Sequence, residues 1–350
     1  MKKTNLLTQS SNSHIRYFDL LRTVAIFFVI IIHCTAAHFI NLSPESCSWL
    51  IANFFESISR WAVPIFIMIS GALHLGKERD LNSFFKKNIL KIVIILFSWN
   101  LIYGIVGLVN GSSLSDFIYA FIGGHYHLWF LYMLLALYAL TPFIKKFIND
   151  PTYLKLFLLI SFIFGIALPE LVDVLIAIPS RINTMGSGLN HALDSVGFGK
   201  IIGYSFYYVL GYYLHNKKLK AKTIKIFYIA GIIGLLFTFF ATWFFSTAIN
   251  SPTVIFLKDL TVNNVLMSIG LFTFAKQHTL KNTISNILIR MSKYSLGIYV
   301  MHALILENIL IYLPTMTILL DIPVKAISCF FICLILSFCF RKIPLLKRIV

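Results

Sequence analysis

The chain has 350 residues, of which 58% are hydrophobic and only 12% charged, and its mean hydropathy is +0.84. A soluble domain of this length carries about a quarter charged residues, so a water-soluble globular protein is excluded. The formal net charge of +17 does not mark a nucleic-acid binder either, because the basic residues stand in short runs between apolar segments rather than on one soluble face.

Ten apolar segments reach spanning length: 17–39, 50–75, 89–109, 127–147, 153–176, 199–215, 224–248, 255–275, 294–313 and 323–340. The expected fold is an all-α integral membrane protein, a bundle of about ten transmembrane helices forming a single domain over residues 1–350. Lys and Arg assign the sides. Of 30 basic residues, 25 fall at one set of segment ends, from Lys2, Lys3, Arg16 and Arg22, through Arg79 and Lys281, to Lys347 and Arg348. The opposite ends hold Arg60, Arg181, Lys200, Lys258 and Lys325. Positive charge stays in the cytoplasm, which puts both termini there. The segments 40–49, 110–126, 177–198, 249–254 and 314–322 are then external loops. Met1–Lys3 followed by an apolar run has the outline of a signal peptide, but Arg22 and His33 within that run favour an uncleaved first span.

The first span, RYFDLLRTVAIFFVIIIHCTAAHF from Arg16 to Phe39, carries Asp19, Arg22 and His33. Eleven positions are about three helical turns, so Arg22 and His33 leave the helix on nearly one face, ~16 Å apart along the axis. Asp19 sits one turn before Arg22 on that side. A snorkelling Arg and a hydrogen-bonded structural His explain these residues blandly. A polar stripe lining an internal site explains them better, since ionisable groups at membrane depth face a protein interior or water.

In the second span, Glu56 and Arg60 have ion-pair spacing. Pro64 deletes a backbone hydrogen bond and is expected to kink the helix, freeing a carbonyl near these polar residues. Ser70 and Gly71 suit close helix contact, and His74 lies near the cytoplasmic edge. Asn100 in the third span needs a partner. The 110–126 loop ends in Gly123-Gly124-His125-Tyr126 and the fourth span opens on His127, and this pair of His suits an external mouth. In the ninth, His302 and Glu307 lie about 140° apart around one helix, so only one is expected to point at any single site. The five Cys have no metal or redox spacing; Cys329 and Cys333 share a helical face and read as buried free thiols, whereas Cys47 falls in an external loop.

Four stretches in order resemble the membrane-bound acyltransferase family 3, the bacterial O-acyltransferases of envelope glycans: RYFDLLRTVAIFFVIIIH at 16–33, VPIFIMISG at 63–71, HLWFLYMLLALYALTP at 127–142 and YSLGIYVMHALIL at 294–306. The resemblance covers nearly the whole chain. It implies that His33 and Arg22 are the family's first-helix signature, with His33 essential. The family's Arg-x-x-Arg pair falls on Lys86-Lys87-Asn88-Ile89-Leu90-Lys91, where Asn88 and Lys91 replace the arginines. Lysine serves as a phosphate point charge but not as a bidentate fork.

The resemblance implies a bacterial cell-membrane enzyme that moves an acyl group, by default acetyl, from cytoplasmic acyl-CoA to a hydroxyl of an extracytoplasmic glycan or glycolipid. No permanently bound cofactor or metal is expected. His33 is the base or the acyl carrier, with Arg22 and Arg60 as further catalytic candidates. Arg22, Lys87 and Lys91 are the donor-binding set, and His127, Asn100 and Glu307 the acceptor-binding set. Arg60 and Asn100 are also candidates to stabilise the oxyanion. The alternative is a secondary transporter or flippase for a polar or lipid-linked substrate. It calls for matched broken helices in two halves, and Pro64 has no clear counterpart.

Overall fold

The computed structural model describes residues 15–77, 80–178, 181–197, 199–278, 283–314 and 316–350. Lys2, Lys3, Arg79 and Lys281 of the basic runs lie outside the described residues. The helices are α1 (Arg16–Asn41), α2 (Cys47–Ser59), α3 (Ala62–His74), α4 (Leu81–Phe84), α5 (Leu90–Val109), α6 (Leu114–Gly123), α7 (Trp129–Ile148) and α8 (Pro151–Phe162). There follow α9 (Leu168–Ala177), α10 (Arg181–Val196), α11 (Gly199–Asn216), α12 (Ala221–Ala248), α13 (Val262–Gln277), α14 (Thr283–Met291), α15 (Ser295–Asn308) and α16 (Ile318–Lys342). No strand occurs among the described residues, so the protein is an all-α membrane bundle.

Nine helical stretches among the described residues are long and apolar enough to cross a bilayer. They match nine of the ten expected segments. The tenth is α11, a helix as expected, whose Tyr204, Tyr207, Tyr208 and Tyr212 lower its apolarity. It is an inner helix rather than a lipid-facing one: residues Gly203 to Gly211 are all buried. It packs against α3 so closely that a Cβ on Gly71 would lie 1.7 Å from the Tyr208 carbonyl oxygen. One on Gly211 would lie 2.0 Å from that of Met68. The small-residue contact expected at Gly71 is thus a glycine-on-backbone crossing. By contrast α12 exposes Ile229, Ile232, Phe240 and Phe244 and turns Gly231, Gly234 and Thr238 toward α13.

Two expected loops contain helix. The 110–126 segment holds α6, started by a capping box of Ser113 and Asp116. The 177–198 segment holds α10, which packs on α9. Pro64 does more than kink the second span. It separates α2 from α3 at Arg60 and Trp61. A helix would bond the residue-64 N–H to the Arg60 carbonyl, and proline has none. That carbonyl instead accepts from Asn264 Nδ2 on α13, at 3.0 Å.

Cys329 and Cys333 are buried free thiols, as expected, and Cys34 is buried too, while Cys47 and Cys339 are exposed.

Candidate active site

The centre of the bundle gathers histidines from three separate stretches. His33 comes from α1, among buried Ile26, Val29, Ile30 and Ile31, and is itself only partly buried. His302 comes from α15 and is fully buried. The two rings are 4.9 Å apart. His127 stands 4.8 Å from His302 and 6.5 Å from His33, ring to ring, and Tyr126 lies 5.4 Å from His33.

The strand of chain that delivers His127 is short and strictly set. α6 ends at Gly123, and Gly124 takes φ +78°, a region costly for residues with a side chain. A single 3₁₀ turn, Tyr126–Leu128, then leads into α7. Asn100 braces this turn from α5. Its Nδ2 donates to the Phe121 carbonyl at 3.0 Å and to Tyr132 Oη at 2.7 Å, and Tyr132 Oη donates on to the Ile122 carbonyl. Tyr299 Oη bonds the His127 carbonyl. Tyr103 Oη donates to the Val300 carbonyl at 2.9 Å and so ties α5 to α15.

His125 completes the cluster. Its ring stacks on Tyr103 at 4.2 Å, its Nδ1 is 2.9 Å from His127 Nδ1, and its Nε2 is 3.3 Å from Glu307. His302 and Glu307 leave α15 on different sides, as their spacing leads one to expect, but the turn carrying His125 joins them. Both reach the cluster, His302 directly and Glu307 through His125. Among the described residues no group of three or more His, Cys, Asp or Glu side chains is placed to hold a metal ion.

The His127 and His302 Nε2 atoms are buried and have no hydrogen-bond partner among the described residues. Buried polar atoms are nearly always bonded, and orphans concentrate at functional sites. Unbonded imidazole nitrogens beside a third imidazole suit proton transfer or covalent capture of an electrophile.

A family model for an acyltransferase domain matches residues 15–342. The chain belongs to the acyltransferase-3 family. No curated protein and no solved structure matches it. The protein is thus an enzyme, a multi-pass membrane acyltransferase, and the transporter reading gives way to it.

The acyltransferase spreads the residues singled out by sequence over several places. His33 and His127 lie in the cluster and Glu307 at its edge. Arg22, three turns from His33, is held by Asp19 at 3.1 Å, and Asp19 is buried. Arg60 is ion-paired with buried Glu56. It lines a different space, a cavity of about 780 Å³ walled also by Trp129, Lys200, Tyr204, Lys258 and Asp259. Lys87 sits in a five-residue π turn, Phe85–Ile89, with its side chain exposed, and exposed Lys91 lies one turn on, within electrostatic reach of Arg341. Asn100, a candidate for oxyanion stabilisation, has its Nδ2 bonded to the scaffold.

His302, His125, Tyr103 and Tyr299 were missing from the site residues expected. The His-x-His pair beside Gly123-Gly124 was the available signal for His125. The position of His302 at mid-span in YSLGIYVMH was the signal for the other half of the site.

Proposed function

We propose that this acyltransferase moves an acyl group, acetyl by default, from cytoplasmic acyl-CoA to a hydroxyl of an extracytoplasmic glycan or glycolipid, with His33 at the centre of the reaction. The protein acts as one domain in the bacterial cell membrane with both termini cytoplasmic, as the 25 basic residues on one side argue. The observation that supports the site is the His33–His127–His302 cluster inside the bundle, with its two orphaned nitrogens.

The chemistry follows from the imidazole. The acceptor hydroxyl gives its proton to a His33 nitrogen as its oxygen bonds to the thioester carbonyl carbon. The tetrahedral oxyanion collapses, the C–S bond breaks, and the CoA thiolate takes the proton from the imidazolium. In the covalent variant a His33 nitrogen forms the C–N bond as C–S breaks and the CoA thiolate leaves; the hydroxyl oxygen then bonds to the acyl carbon, the C–N bond breaks to free the imidazole, and the hydroxyl proton ends on the thiolate. Arg22, Lys87 and Lys91 hold donor phosphates at the cytoplasmic face. Arg60 offers positive charge to the oxyanion, being within electrostatic range of His33. The acceptor enters by the cavity of Arg60, Trp129 and Asp259, and His127 and Glu307 bind its hydroxyl end, with Asn100 bracing the turn that carries His127.

Gln hydrogen-bonds but neither takes a proton near neutral pH nor forms a reactive acyl intermediate. The decisive measurement is acyl transfer by purified His33→Gln protein at matched amounts, with CoA binding alongside. The expected result is intact CoA binding and a rate lower by roughly 10²–10⁴. A rate within about tenfold of wild type, smaller than the usual loss of a general base, rejects the role.

A further inference from the structure

His302 is the most enclosed member of the cluster, and its hydrogen-bond polarity is set by the backbone. Its Nδ1 lies 2.5 Å from the Tyr299 carbonyl oxygen. A carbonyl only accepts, so Nδ1 carries the proton. In the neutral ring Nε2 is then a lone pair, and this is one of the two orphaned atoms. The residue is 0% exposed, so no water supplies a donor from bulk. Its own carbonyl is engaged by Cys329 Sγ at 3.5 Å, and its ring is flanked by His127 and Tyr299, which fix where it points.

Two imidazoles flank this lone pair, His127 at 4.8 Å and His33 at 4.9 Å between ring centres, and of the two only His33 has neither ring nitrogen in a described hydrogen bond. A neutral imidazole has one N–H and one lone pair, and it acts as base or nucleophile only through the lone pair. Something must hold the N–H so that the lone pair faces the reacting groups. In the serine hydrolases a carboxylate does this for the catalytic histidine. Among the described ion pairs none places a carboxylate on His33. With the ring centres 4.9 Å apart, a turn of the partly buried His33 ring brings its N–H to the unpartnered His302 Nε2.

We propose that His302 is the positioning residue of the site: the Tyr299 carbonyl fixes the His302 tautomer, His302 Nε2 accepts the His33 N–H, and the opposite His33 nitrogen is left as the lone pair that attacks or takes the proton. The backbone of α15 thereby sets the reactive face of a residue on α1. A neutral acceptor has a consequence that a carboxylate does not. It orients the ring without adding a buried negative charge beside an incoming anionic donor. The proposal rests on His33 acting through a ring nitrogen, as set out above, but His33's tautomer is measurable without any acyl transfer.

The test uses the full-length protein in lipid nanodiscs, labelled with ¹⁵N-histidine. The His33 ring signals are those missing from His33→Gln. In wild type they should show one neutral tautomer whose N–H is hydrogen-bonded. In His302→Leu both tautomers should appear, whereas in His302→Gln, whose side-chain oxygen accepts, one should persist. Activity is read with labelled acetyl-CoA and envelope membranes from cells lacking the protein. His302→Leu should lower kcat by about ten- to a hundredfold, the usual scale for losing a residue that orients a functional group, with the KM for acetyl-CoA within about twofold. His302→Gln should recover most of that rate. An unchanged His33 tautomer in His302→Leu, or a rate within about threefold of wild type, overturns the proposal. Should His302→Leu fail to fold, the wild-type spectrum decides: mixed His33 tautomers reject the assignment and a single hydrogen-bonded one supports it. A fixed tautomer together with an active His33→Gln enzyme would sink the proposed role of His33 and leave the positioning contact standing.

Discussion

His125 Nε2 stands 3.3 Å from the Glu307 carboxylate, and this contact brings into the cluster an acid that its own helix turns away from it. Glu307 is five residues beyond His302, so the two leave α15 on different sides. The chain after Gly124 closes the gap by placing His125 toward Glu307 and His127 toward His302.

Glu307→Gln tests what this contact does. The carboxylate side chain is 41% exposed, so the pair contributes about 1 kcal/mol or less to stability. Folding should therefore be nearly unaffected. The acyl-transfer rate should fall about tenfold, in line with the loss of a supporting partner, because the neutral amide keeps one acceptor oxygen but can flip to present its NH2 and no longer holds His125 as a carboxylate does, so His127 receives a less defined orientation. Thermal unfolding and steady-state rates on the same preparation separate the two effects. A wild-type rate would place Glu307 outside the working site.

Asn264 and Pro64 make a second testable pair. Asn264 is fully buried and supplies the hydrogen bond that Pro64 withholds from the Arg60 carbonyl. Asn264→Ala should cost about 1–3 kcal/mol, the usual penalty for an unsatisfied group inside a protein. Adding Pro64→Ala returns an N–H at the right helical position and should recover much of the loss. A double-mutant cycle on unfolding free energy measures the coupling. Strict additivity would mean that the carbonyl finds another donor.

How much of this was readable beforehand follows from which residues depend on local sequence. The spans were readable because apolar length is a local property, and α11 falls short of it through its tyrosines and the polar residues Lys200, His215 and Asn216 at its ends. The break at Arg60 was half readable: Pro64 announces a freed carbonyl, but Asn264 lies 204 positions away and nothing near it names its partner. His33 and Arg22 were readable from their spacing on one helix. His302 was marked only by its place at mid-span, because its role comes from a neighbour on α1 and from the Tyr299 carbonyl rather than from its own helix. The π turns at Phe85–Ile89 and Ile163–Ala167 left no trace in composition.

The donor site gives the last prediction. Arg22 is anchored by one contact to buried Asp19, whereas Lys87 and Lys91 are exposed at the start of the third span and are the cations to remove first. Their amines are point charges rather than forks, so they should attract CoA phosphates without fixing their orientation. The Lys87→Ala, Lys91→Ala double variant should then bind CoA about tenfold more weakly, which corresponds to about 1.4 kcal/mol. Its affinity should also depend less on salt than that of wild type, because exposed charges are the ones that salt screens. Lys87→Arg, Lys91→Arg should bind at least as tightly as wild type. The check is a CoA titration of all three proteins at low and high salt. Equal affinity and equal salt dependence in the alanine variant would move the phosphates away from these lysines, leaving Arg341 beside Lys91 as the next cation to remove.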